Sequence, residues 1–105
     1  MDAQLKRGIL EICVLSAIKK EDSYGYKIIK DISPYVKISE STLYPILKRL
    51  ESSGFINVYT VEHNSRLRKY YKITDEGIQK IQHFFLEWSE IMKAYNYIKE
   101  EFENE

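Results

Sequence analysis

The segment from Ser39 to Thr74 constrains the fold more than any other part of the chain. It opens Ser-Glu-Ser-Thr-Leu-Tyr-Pro-Ile-Leu-Lys-Arg-Leu-Glu-Ser-Ser-Gly-Phe-Ile and continues into two strand-like runs joined by a basic tip. Leu43, Ile46, Leu47 and Leu50 recur at i, i+3, i+4 and i+7, so they form the buried stripe of an amphipathic helix. At roughly 100° per residue, Ser41, Pro45, Lys48 and Ser52 fall on the opposite face, with Tyr44 and Arg49 on the flanks. Ser39 or Ser41 is the expected N-cap, and Gly54 suits the left-handed position that closes the helix, with Phe55 reaching back to Leu50. A capped helix leading into a basic hairpin has the outline of a winged helix-turn-helix.

The flanking segments extend this outline. Residues 4–19 have a broad apolar face from Leu5 and Ile9 to Ile18, with Lys19 and Lys20 at the C-terminal end of the dipole. Asp22 and Ser23 are expected to cap a second helix through Ile32, in which Gly25 permits close approach of another backbone. Ile56–Glu62 and Arg68–Ile73 are rich in Val, Ile, Thr and Tyr, and His63-Asn64-Ser65-Arg66 between them supplies a turn. Arg66, Arg68 and Lys69 crowd the tip and the returning arm, where they serve phosphate contact or protect an edge strand.

Thr74 is expected to cap a last helix over about 75–102, with Asp75 and Glu76 in its first turn. Ile78, Ile81, Phe85, Trp88, Met92, Tyr95, Lys99 and Phe102 follow at spacings of 3 and 4, the a/d pattern of a coiled-coil seam. The expected class is mainly α with a small β-hairpin. Residues 1–74 are expected to form a winged helix-turn-helix DNA-binding domain, and 75–105 a C-terminal dimerisation helix. Ile81, Phe85, Trp88, Met92 and Tyr95 are its expected interface residues.

Charge decides how such a fold meets a partner. The 105 residues have no formal net charge, which by itself argues against nucleic acid. Residues 1–75, however, hold 13 Lys/Arg against 9 Asp/Glu, a net +4, and residues 76–105 hold 3 against 7, a net −4. Screening over about 8 Å lets the basic front attract phosphate despite the acidic end.

Cys13 is the sole cysteine and falls in an apolar helix pattern, as an inert thiol does, so a reducing compartment and a cytoplasmic protein are expected. His63 and His83 are distant in sequence, and no nucleophile–base pair or glycine-rich phosphate loop appears. Neither an enzyme, a metal nor a cofactor is expected.

Leu43-Tyr44-Pro45, Arg49-Leu50-Glu51, Gly54-Phe55-Ile56 and Arg68-Lys69-Tyr70-Tyr71 with Gly77 closely resemble the PadR family of bacterial transcriptional regulators. Gly8-Ile9-Leu10 and Tyr24-Gly25-Tyr26 match as well. The resemblance implies a winged-helix homodimer that binds a palindromic operator, represses transcription and is released by a signal. A single long C-terminal helix resembles the short subgroup, so the phenolic-acid ligands of longer members are not carried over. Trp88 resembles the tryptophan of multidrug-sensing short members, which implies a planar aromatic effector; the alternative is that it only anchors the dimer. On the DNA side, Ser41, Thr42 and Tyr44 are expected at base edges and Lys48 and Arg49 at phosphates, with Arg66, Arg68 and Lys69 reaching out from the wing. The rival reading is a winged helix that meets protein rather than DNA.

Overall fold

The computed structural model describes residues 1–104. In chain order it comprises α1 (Ala3–Ala17), α2 (Gly25–Ile32), α3 (Glu40–Ser52), β1 (Ile56–His63), β2 (Arg66–Ile73) and α4 (Asp75–Glu103). This is the mainly helical winged architecture with one antiparallel hairpin that the sequence predicts. Leu10, Val14 and Leu15 of α1 meet Ile28 and Ile32 of α2 and the full α3 stripe Leu43, Ile46, Leu47 and Leu50. Ile56, Tyr71 and Ile81 close this core from the wing and from α4.

The helix ends show which local signals hold. Asp2 caps α1 by accepting the Leu5 N–H at 3.2 Å, and the helix stops at Ala17, so Lys19 and Lys20 lie beyond its last turn. Ser39 precedes α3 but makes no backbone cap; its hydroxyl pairs with those of Ser41 and Thr42 instead. Gly54 has φ of 81°, the Phe55 N–H donates to the Leu50 carbonyl and the Gly54 N–H to that of Glu51. These two bonds are the Schellman closure expected from Gly-Phe after a leucine stripe.

Asp22 and Ser23 do not cap α2. Its N-cap is Tyr24, without a side-chain bond. Ser23 is buried and exchanges two backbone hydrogen bonds with Tyr71, at 3.2 and 2.7 Å, so the α1–α2 connection is joined to β2 by an isolated antiparallel bridge. Unpaired backbone groups at that depth would be costly, and this pairing satisfies them.

The hairpin register runs from Ile56 opposite Ile73 to His63 opposite Arg66. That leaves a two-residue turn, Asn64-Ser65, at φ of 51° and 64°, as a type I′ connection requires. The Thr74 hydroxyl accepts from the Gly77 N–H at 3.1 Å and donates to the Gly54 carbonyl at 2.7 Å, tying the start of α4 to the end of α3. A side chain at Gly77 would strike the Phe55 carbonyl oxygen and the Ile73 side chain.

The expected boundary after Thr74 therefore falls inside the packing. Gly77 and Ile81 are buried in the winged domain, and Phe84 is half-buried. Ile81, read from the sequence as a subunit contact, is only 6% exposed and serves its own core. From Phe85 to Asn104 every residue is exposed. Over 29 residues α4 is about 44 Å long. Its outer part extends the molecule to 67 × 26 × 21 Å and raises the radius of gyration to 16.7 Å, against about 13 Å for a compact chain of this size.

Candidate nucleic-acid interface

Helix α3 presents Ser41, Tyr44, Pro45 and Lys48 outward, opposite its leucine stripe. Two sides of this face differ. Tyr44 and Lys48 look onto the wing and line a concavity with Lys69, Val58 and Tyr71. Thr42 and Arg49 lie on the α1 side, in a hollow with Lys6 and Arg7. Those two cations add to the positive edge, and their assignment needs the α1–α3 packing that sequence periodicity does not give.

Arg49 is not a free phosphate ligand. Its guanidinium donates to the Glu11 carboxylate at 3.1 Å, with Glu11 mostly covered, so the pair pins α3 to α1. Lys48 has no ion-pair partner among the described residues and remains exposed. Adjacent cations thus have separate roles: one structural, one open to an anion.

The wing divides its cations by strand alternation. Arg66, Arg68 and Tyr70 share one face of β2, and Lys69 and Tyr71 share the other. Arg66 stands exposed next to the turn. The Arg68 guanidinium lies 4.1 Å from the centre of the Tyr24 ring, a cation–π contact that orients it. Tyr24 packs edge-on against Tyr70 at 5.5 Å, and Tyr70 stacks on Tyr59 at 5.7 Å. The Tyr59 hydroxyl donates to Asp22 at 2.5 Å, a bond that raises the pKa of the phenol. This aromatic ladder docks the wing on the entrance to α2. The sequence reading missed Tyr24, Tyr59 and Asp22 in that role, because the ladder joins Asp22 and Tyr24 to wing residues more than 30 positions away.

Between wing and α3, a hollow of about 530 Å³ is lined by Tyr24, Gly25, Tyr26, Tyr44, Arg68 and Lys69. Gly25 there faces the Tyr44 phenol, not another backbone. Phenols and cations around one groove suit both uncharged base edges and phosphate oxygens.

A second concavity, about 250 Å³, lies between α1 and α4 and is lined by Leu5, Ile9, Ile12, Phe84 and Trp88. Trp88 stacks on Phe84 with centroids 5.9 Å apart and planes at 18°, and stays 37% exposed. Glu87 pairs with His83 at 2.6 Å on the same rim.

The model of the PadR-like transcriptional regulator family matches residues 14–83, from mid-α1 through the wing to the point where α4 leaves the core. The chain belongs to that family. It is 42% identical to a protein from Streptococcus mutans of known crystal structure, with a TM-score of 0.77 over 90% of this chain and 89% of that one. A PadR family regulator from Eggerthella lenta superimposes with a TM-score of 0.83 at 34% identity, covering 92% and 87% of the two chains. Bacillus subtilis PadR, solved in complex with operator DNA, matches at a TM-score of 0.69 and 27% identity over 73% of this chain. The chain covers 46% of that structure and about half, 53%, of the negative transcriptional regulator PadR of that organism. This family member is a DNA-binding transcriptional regulator and not an enzyme. No helix among its described residues is long and apolar enough to cross a membrane.

Proposed function

We propose that the chain is a cytoplasmic, homodimeric repressor that holds a palindromic operator with two copies of α3 and the wing. The observation that carries this reading is the convergence of Tyr44 and Lys48 of α3 with Arg68 and Lys69 of β2 on adjoining concave surfaces. Ser41 and Tyr44 reach base edges and Lys48 holds phosphate. Arg66, Arg68 and Lys69 flank the duplex from the wing, and Lys6 and Arg7 meet the backbone on the other side.

The dimer forms through the outer part of α4 with the exposed edge of α1. Phe85, Trp88, Met92 and Tyr95 are 64, 37, 39 and 51% exposed, on the part of α4 that runs out beyond the winged core. An apolar surface of this extent is kept from water by a partner, and a two-fold axis matches a palindromic site. The winged domain then runs to about residue 84, and the dimerisation segment begins at Phe85.

A planar aromatic effector would bind at Trp88, a reading supported by its indole, which stacks on Phe84 at the edge of the α1–α4 concavity and offers a flat face of negative potential. Binding of fluorescently labelled promoter DNA from the chain's own locus tests the whole reading. Wild-type protein is expected to prefer that fragment over an unrelated duplex, and a saturating planar dye such as ethidium is expected to quench Trp88 and release it. Equal affinity for both duplexes would refute the sequence-specific repressor.

A further inference from the structure

Gly25 is the first residue of α2 and is buried. It is absent from the positive-φ positions, so backbone freedom is not what places a glycine there. Space is. A Cβ at this position would lie 2.6 Å from the Tyr44 hydroxyl oxygen, 3.2 Å from Cζ and 3.4 Å from Cε1. The three nearest atoms all belong to one phenol. Nothing else so close demands a residue without a side chain.

Tyr44 itself is 48% exposed, so the missing Cβ leaves a notch that receives the hydroxyl end while the rest of the ring edge stays open. Arg68, Lys69 and Tyr71 surround the same hollow. A methyl group at residue 25 would push the hydroxyl end of the phenol out of the notch and turn the ring. The ring would then present a different edge to whatever lies along α3.

We propose that Gly25 is a specificity-determining position of the DNA interface, acting through Tyr44. The glycine sets the direction of the phenol, and the phenol selects the base. This rests on the reading above that Tyr44 approaches a base edge. Gly25 touches no DNA itself and is a positioning residue.

Selection of preferred sequences from a randomised duplex pool, using full-length wild type, Gly25→Ala, Tyr44→Ala and the double variant, tests this. Gly25→Ala is expected to change preference at the same base positions as Tyr44→Ala and to weaken the wild-type site roughly tenfold. The salt dependence should be unchanged, because no cation is removed. The double variant should bind no worse than Tyr44→Ala alone, since both changes act on one contact. Thermal melting supplies a second readout: once the phenol is gone the methyl has room, so the double variant should melt with Tyr44→Ala. A double variant less stable than Tyr44→Ala would show that the glycine serves another contact, and would overturn the proposal. Altered preference in Tyr44→Ala but not in Gly25→Ala would overturn it alone. Unaltered preference in both would overturn the base-reading role of Tyr44 with it.

Discussion

Lys48 and Arg49 are chemically alike and adjacent, yet the fold uses them differently. Helical periodicity puts Lys48 on the outward face and Arg49 on its flank, and that much is legible in the sequence. What periodicity does not supply is Glu11, 38 residues earlier, which turns Arg49 toward α1. Arg49→Ala is therefore expected to destabilise the fold by about 1 kcal/mol, discounted because the Arg49 side chain is 40% exposed, and to leave the salt slope of DNA binding intact. Lys48→Ala should do the reverse; chemical denaturation beside binding titrations separates the two. Gly77 gives a second residue-scale test. Alanine is the better helix former by about 1 kcal/mol. At this site its methyl would meet the backbone oxygen of Phe55, which cannot move aside without breaking the Thr74–Phe55 bond. Gly77→Ala should lower the melting temperature by at least about 4 °C, as an overpacked contact does.

At the scale of elements, the leucine stripe, the Gly54 closure, the Thr74 cap and the hairpin were each readable, because every one depends on residues within a few positions of each other. The α2 start was misread for the opposite reason. Ser23 satisfies the local rule for a cap, but its backbone is taken by Tyr71, 48 residues away in the chain. The same long-range packing creates the ladder of Arg68, Tyr24, Tyr70 and Tyr59 that ends on Asp22. Its pH response has a definite sign. Hydrogen bonding to Asp22 raises the Tyr59 pKa and burial raises that of Tyr71, so both groups favour the fold while neutral. Their contribution is complete below the ordinary tyrosine range near pH 10 and is lost as pH climbs through the raised values. Stability measured by urea unfolding should fall above about pH 10, and less steeply in Tyr59→Phe. An equally steep fall in that variant would mean that the Asp22 tie adds nothing.

For the whole molecule, the a/d pattern in α4 was legible, but where it passes from core to seam was not. Ile78, Ile81 and Phe85 look alike as a repeat; only packing shows that Ile81 closes the winged domain and that Phe85 is 64% exposed. Truncation before Phe85 should accordingly keep the winged core while converting the protein to monomer by analytical ultracentrifugation, with loss of operator affinity. The charge division has a consequence at the same scale, since a net +4 front and a net −4 rear orient the molecule toward a polyanion. If α3 and the wing neutralise phosphates on the operator, affinity must depend on salt. The logarithm of the association constant should fall steeply and linearly with the logarithm of salt concentration, and Lys48→Ala or Arg68→Ala should each flatten that slope by about one unit per DNA contact removed. An affinity that does not change with salt, or slopes that the two substitutions leave untouched, would contradict phosphate neutralisation by α3 and the wing.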